Sequence, residues 1–447
     1  MTGTGGYGGP PVIPGSARLP NGLRALRHRN FRLFWTGQLI SLVGTWMQQV
    51  AQGWLVLELT GDPLILGAVA AAQFTPVIIL GLFAGVFADA FPKRAILMAT
   101  QIASAVLALV LGLLVATGTV EVWHVFVLAS LLGVANAFDM PVRQAFVVEM
   151  VGRDDMVNAV GLNSSIFNGS RIVGPAIAGL LIATVGLAVC FLLNAVSYVA
   201  VVIGLLAMRP QELHKVERSQ LARSVGAVIG QLAEGLRYVR DEPTIRLALG
   251  VLGVVATVAL NFQVLLPLLA RDVLGGGADT FGFLMAASGV GSLASSLAIA
   301  FGQRPTLRLL LTGAAVIGLA SLGVAYSTWL PLSMVLMAFA GWGLMAMAAT
   351  TNTLIQLRSP DVLRGRVMSV YTTVFAGSSP IGGLFAGTLA NAAGVAVALA
   401  TGGVLAVLTA AAALSRLPPD RASARRGAGP PAAPKDARQV DVPAGPR

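Results

Sequence analysis

Charge is what this chain has least of: only 11% of its 447 residues are Asp, Glu, Lys or Arg, against roughly 25% in an ordinary soluble chain. So little charge cannot keep a surface of this size in water, which argues against a soluble globular fold. Cysteine is nearly missing as well. Cys190 stands alone, so an intramolecular disulfide is excluded, and its place within an apolar run reads as a small buried hydrophobe. The histidines, His28, His124 and His214, are scattered; no metal cluster is expected, and no cofactor. None of the lysines, Lys93, Lys215 and Lys435, follows a glycine in a phosphate-loop pattern, so the chain has no ATPase of its own. A membrane-embedded enzyme would need paired carboxylates or a histidine cluster at one depth. None is visible, and the chain is read as no enzyme.

What is present is apolar. Hydrophobic residues make up 56% of the chain, in runs of ~20 residues, each able as a helix to cross a hydrocarbon core ~30 Å thick. Twelve such runs are read, at about 32–57, 64–88, 95–117, 122–143, 158–184, 187–208, 245–270, 281–302, 307–327, 329–356, 366–391 and 393–415. The basic residues test this count. With residue 1 on the cytoplasmic side, 28 of the 30 Lys and Arg fall in cytoplasmic segments, and only Arg171 and Arg271 do not. The opposite turns carry Glu58, Asp62, Glu121, Asp272 and Asp279. That asymmetry is the positive-inside pattern. It predicts a multi-pass protein of the cytoplasmic (inner) membrane with both termini cytoplasmic, and it assigns the net charge of +11 to a membrane face and not to nucleic acid.

The runs fall into two halves. A bundle of six spans over 30–208 and another over 244–416 are predicted, joined by a cytoplasmic linker over 209–243, with Gly/Pro-rich and Pro/Ala/Arg-rich tails at 1–29 and 417–447 that read as disordered. The halves repeat one another. Gly169, Gly174 and Gly179 match Gly377, Gly382 and Gly387 at an offset of 208, and "GAVAA" from Gly67 matches "GFLMA" from Gly282 at an offset of 215. A duplicated six-helix unit is the mark of a rocking transporter whose site lies near the midplane between its halves. In the linker, Leu221, Val225, Val228, Ile229, Leu232, Leu236 and Val239 recur at helical spacing, predicting an amphipathic helix on the inner leaflet. "GVGSLA" (Gly289 to Ala294) has the glycines of a dinucleotide fingerprint but no strand before it, so it reads as small residues for helix packing.

Polar residues within the spans are few, and in lipid they turn inward. The substrate-cavity candidates are Trp46, Gln48, Gln52, Asn163, Asn168, Arg171, Asn261 and Gln263. Gln48 and Gln52 share a face at i, i+4, and for each amide a hydrogen bond between helices is as good a reading as substrate contact. Arg171 stands apart. Counted from Asn158 it lies ~20 Å deep, where a cation costs ~2.5–3.5 kcal/mol or more. It faces either a hydrated cavity or the free carbonyls of a broken neighbouring helix. Asp139, four residues before Arg143, is read near the inner headgroups, as a structural ion pair or a proton-coupling site together with Arg171. Amides, one cation and aromatics suit a neutral or anionic amphipathic molecule.

These residues also carry a resemblance. "GVFADAFPKR" (Gly85 to Arg94) resembles the signature loop of the major facilitator superfamily, "GPAIAG" (Gly174, Pro175 and Gly179) is similar to the motif of its antiporters, and "NAFDMPVRQAF" and "RGRVMSVYTT" resemble the branch of macrolide-efflux and enterobactin-export proteins. The resemblance implies an all-α fold of twelve transmembrane helices in two pseudo-symmetric halves. It also implies export of small amphipathic, drug-like compounds by alternating access in exchange for protons, by a monomer in the lipid bilayer; a dedicated siderophore or natural-product exporter is the alternative. Gly85, Asp89, Lys93 and Arg94 become a conformational gating loop, with Asp89 favouring the start of span 11 or merely capping its own helix. Two departures stand out. Ala90 and Pro92 replace a basic residue and a glycine of the loop, and the middle of span 4 lacks the arginine that many proton-driven drug antiporters carry.

Overall fold

In the computed structural model, residues 21–214, 225–302 and 304–417 are described, with the backbone alone at 21, 82–90, 225 and 227–229. Residues 1–20 and 418–447 of the tails, part of the linker and the side chains of Gly85 and Asp89 therefore lie outside the described residues. The rest of the N-terminal tail, expected to be disordered to residue 29, is ordered: Asn21–Arg27 form a short 3-10 helix, held by the ion pairs of Arg24, Arg27 and His28 with Asp155. The first half comprises α1 (Arg29–Thr60), α2 (Pro63–Ala90), α3 (Lys93–Ala116), α4 (Val122–Val151), α5 (Met156–Thr184) and α6 (Leu187–Leu206). A linker helix α7 (Val225–Asp241) leads to α8 (Pro243–Ala259), α9 (Phe262–Leu268), α10 (Ala278–Ala300), α11 (Leu307–Tyr326), α12 (Leu330–Arg358), α13 (Asp361–Ala393) and α14 (Val395–Leu414).

Ten of these helical stretches are long and apolar enough to cross a membrane. The other two spans, α1 and α13, have the length, at 32 and 33 residues, but carry more polar side chains, because both face the interior. Outward-facing apolar residues such as Val196, Ile203 and Leu319 are 60% exposed or more, as expected of surfaces that meet lipid.

Two spans differ from expectation. Span 7, expected as one helix over 245–270, is broken between α8 and α9. The Asn261 side chain donates to the Thr257 carbonyl at 2.7 Å, competing with the backbone ladder, while Pro267 has no N–H to offer the carbonyl of Gln263. The Asn261 carbonyl then starts α9 by accepting from Val264 and Leu265 at 3.0 Å. Span 4, expected to end at 143, runs on to Val151, since Phe146, Val147, Met150 and Val151 are buried in a core of their own half. Asp139 thus lies about three turns inside its helix, deeper than headgroup level.

Three cores explain the shape. At the end with the acidic turns one core is shared by both halves, including Met47, Trp54 and Phe191 with Leu266, Phe281 and Met285. At the basic end the core splits in two. Phe31, Phe34, Leu97 and Phe146 belong to the first half, and Ile245, Leu252, Leu310 and Val367 to the second. The halves are therefore fused at the acidic end and apart at the basic one. Across the fused end α2 packs on α13 and α5 on α10.

The basic end holds its own polar ties. Arg24, Arg27 and His28 converge on Asp155 at 2.5, 2.7 and 2.7 Å. Burial alone would raise the Asp155 carboxyl, but His28 and the two arginines outweigh it and hold it below the usual range. Lys93 pairs with Glu149 at 2.6 Å, and Arg94 donates to the Leu205 carbonyl at 2.8 Å. In the second half Leu232 and Val239 of α7 pack on the core, Glu234 pairs with Arg366, and Leu236 stays exposed.

Candidate functional site

Between the halves, near mid-depth, lies a cavity of about 150 Å³. α1 contributes Trp46, α2 Phe74, α5 Arg171, and the α8–α9 break Asn261, Phe262 and Gln263. Met285 and Ser288 of α10, Leu344 of α12, and Phe375, Ser378 and Ser379 of α13 complete it. Four of the sequence candidates, Trp46, Arg171, Asn261 and Gln263, thus meet in one space although they lie on three different spans.

The local folding explains why they meet. Gly174 lets α5 touch α1, since a Cβ there would sit 2.6 Å from the Trp46 Cβ and 2.8 Å from the Val43 carbonyl. Gly382 does the same for α13 against the broken span, where a Cβ would meet the Thr257 carbonyl and the Asn261 amide at 2.5 Å. These glycines are one of the repeated pairs in the sequence. Pro175 and Gly179 face α10 instead, against Gly282 and Asp279, so the Gly-Pro motif serves two helix contacts at once.

Arg171 has no partner of its own. Among the described residues it forms no hydrogen bond or ion pair, and its Nε is buried without an acceptor. Its Cζ lies 5.7 Å from the Trp46 ring centroid, within reach of a cation–π contact, and Trp46 is in turn steadied edge-on by Phe167 at 5.7 Å. The neighbouring span is broken, yet its carbonyls do not take the guanidinium. The cavity exceeds about tenfold the ~10–15 Å³ that a water needs, which is room to hydrate the cation instead.

The remaining candidates go elsewhere. Gln48 accepts from Asn194 at 2.6 Å and ties α1 to α6. Gln52 donates to Gln73 at 3.0 Å, and Gln263 donates across the halves to Gln49 at 3.2 Å. These four amides surround a small pocket of about 30 Å³ on the acidic side of the main cavity. Asn168 lines a groove of about 580 Å³ between the inner parts of α5 and α10, with Ser164, Ser165 and Ser296. Asn163 lines neither space; its Oδ1 is buried without a partner. Asp139 is buried, accepting from Thr100 at 3.0 Å, Gln101 at 2.8 Å and Arg143 Nε at 2.9 Å, while Arg143 also reaches Gln38 at 3.0 Å.

Sequence reasoning missed Phe74, Ser288, Phe375, Ser378 and Ser379. A serine or phenylalanine in a span reads as packing, and the only available signal was the unusual polarity of α13 as a whole.

Residues 21–446 match the transmembrane secretion effector family. The chain is 31% identical over 354 residues to the multidrug efflux pump Tap of Mycolicibacterium fortuitum, spanning 77% of this chain and 85% of Tap. It is 24% identical over 374 residues to the staphyloferrin A transporter of Staphylococcus aureus, spanning 81% and 90%. Its fold matches the crystal structure of the nucleoside transporter NupG with a TM-score of 0.67 at 12% identity, over 89% of this chain and 99% of NupG.

Proposed function

The chain belongs to the transmembrane secretion effector family of major facilitator transporters, and from that premise we propose that it exports small amphipathic compounds from the cytoplasm by alternating access, in exchange for protons. The observation that carries this reading is the central cavity, lined by aromatic and aliphatic side chains with one cation and a few hydroxyls and amides, as a site for an amphipathic molecule requires. The split cores support the cycle. The halves share a core only at the acidic end, so the site is reached from the basic end, which this reading places in the cytoplasm. The amide cluster of Gln49, Gln52, Gln73 and Gln263 closes the exit.

Asp139 is the one buried carboxylate within a span among the described residues, and the reading assigns the exchanged proton to it. Cells expressing the protein are expected to keep lipophilic antibiotics out, and to lose this at once with a protonophore while ATP is held constant. Efflux that persists under those conditions removes proton exchange from the reading; no difference from empty-vector cells removes export. For orientation, an alkaline phosphatase fused after Arg240 is expected to stay inactive, and an active fusion would invert the topology. A dedicated siderophore exporter is the second reading, favoured by the likeness to the staphyloferrin A transporter. It predicts that a deletion strain retains a single metabolite instead of a range of added compounds.

A further inference from the structure

The charge balance of the central cavity narrows what it can hold. Its lining contains one formal charge, Arg171, and no Asp, Glu or His. Two hydrogen-bonding groups of the lining are also left without a partner. The Nε of Arg171 is buried without an acceptor, and the hydroxyl of Ser288, which lines the same cavity, has no partner either. The Asn261 amide, by contrast, already spends its N–H on the Thr257 carbonyl. The lining also carries three aromatic rings, Trp46 beside the guanidinium and Phe74 and Phe375. A cationic ligand would bring a second positive charge beside an uncompensated one in a low-dielectric space, and like charges there repel strongly. A neutral ligand would leave the guanidinium uncompensated. An anion satisfies both, through charge-assisted bonds to a planar fork of donors.

We infer that the substrate is an organic anion, an aromatic or aliphatic body carrying a carboxylate, sulfonate or comparable oxyanion, with the anionic group on Arg171 and Ser288 and the body against Trp46, Phe74 and Phe375. This rests on the export reading and adds a consequence to it. An anion leaving a compartment that is electrically negative moves down the potential, so each ~59 mV multiplies by ten the gradient a singly charged substrate can sustain. Export is then electrogenic, whether or not protons are exchanged.

The test uses the purified full chain in phosphatidylcholine nanodiscs with three matched probes: a naphthalenesulfonate, its neutral sulfonamide and a naphthylmethylammonium. The wild type is expected to bind the sulfonate about tenfold more tightly than the sulfonamide, and the ammonium least. Arg171→Gln should erase the sulfonate's advantage over the sulfonamide, and Arg171→Lys should keep a reduced preference. A wild type that binds the ammonium as well as the sulfonate overturns the inference. So does an Arg171→Gln protein, melting as the wild type does, that keeps the preference. If Arg171→Gln does not fold, the wild-type series and Arg171→Lys decide alone. An anionic lipid headgroup offers the same chemistry; if phosphatidylglycerol in the nanodisc abolishes sulfonate binding, the cavity belongs to lipid and the inference falls. Failure here is separable from failure of the export reading. Cells that expel neutral and cationic drugs through a protein without sulfonate preference refute the anion alone, whereas sulfonate preference without expulsion of any compound refutes export alone.

Discussion

Gly67→Val is expected to abolish transport in a protein that still folds, and Gly291→Val to prevent folding. The two glycines look alike in the sequence and both press on backbone, Gly291 the more tightly. A Cβ on Gly67 would run into the carbonyl of Gly383, with its carbon at 2.8 Å, and one on Gly291 into the carbonyl of Ala338, with the Trp342 nitrogen at 2.9 Å. The difference lies in what each contact joins. Gly67 on α2 meets Gly383 on α13, in the other half, at the fused acidic end. That seam has to part when the site opens to the far side, so a side chain there penalises only the closed conformer.

Overpacking against an immovable backbone costs about 1–3 kcal/mol or more, and every 1.4 kcal/mol shifts a two-state balance tenfold. Gly67→Val should therefore cut efflux at least about tenfold, with melting near that of the wild type. It should also raise labelling of Ser379→Cys from the acidic side, measured in a Cys190→Ala background. Gly291 and Ala338 belong to α10 and α12 of the same half and stay in contact throughout the cycle, so Gly291→Val should deplete the protein from the membrane fraction. Gly282→Val, at the equivalent seam where α10 meets the Pro175 carbonyl of α5, should repeat the Gly67 result. Normal efflux by Gly67→Val would show that the seam does not open.

That equivalence is legible in the residue spacing alone. The offset of 215 pairs Gly67 with Gly282, and the offset of 208 pairs Pro175 with Gly383. In space Gly67 lies on Gly383 as Gly282 lies on Pro175. Glycines that let helices touch cannot drift once a unit has been duplicated, because any Cβ would separate the backbones. Gly169 and Gly377, the remaining repeated pair of that set, meet nothing within 4 Å. A repeat in sequence therefore marks equivalence of place and not always a contact. Arg171 is legible for a different reason: a cation at that depth has few places to go.

Partner choice is what the sequence hides. Gln48 and Gln263 are both mid-span amides, yet one is spent on Asn194 within its own half and the other bridges the halves to Gln49. Their own helices do not determine this; the neighbour does. The break in span 7 is hidden because hydropathy runs unbroken through Leu260 and Phe262, and Asn261 signals it only once its amide is seen to take a carbonyl of the preceding turn.

Asp139→Asn is expected to uncouple the transporter, leaving exchange of substrate down its gradient while reducing accumulation against it by about tenfold or more. Asp139 is 2% exposed and bound by Thr100, Gln101 and Arg143. Arg143, which holds its second oxygen, is itself part-exposed and also holds Gln38 of α1. Trp46 lies two turns further along that helix, in the central cavity. Protonation at Asp139 and occupancy beside Arg171 thus act on one rigid rod, α1, which is the physical link a coupled exchange needs. Asparagine keeps the oxygen that accepts from Thr100 and Gln101 and turns the one facing Arg143 into an uncharged NH2; Arg143 is part-exposed and still holds Gln38, so it turns to water and expression should persist. Leucine also removes the acceptor of the buried Thr100 and Gln101 side chains, at ~1–3 kcal/mol for each buried donor left unsatisfied, and Asp139→Leu should fail to accumulate in the membrane. The measurement is efflux from proteoliposomes under an imposed pH gradient with the membrane potential clamped at zero, so that the drive on an anion is removed. If Asp139→Asn still concentrates substrate with the wild-type dependence on pH, Asp139 is a strut between α1, α3 and α4, and the proton, if one moves, is carried elsewhere.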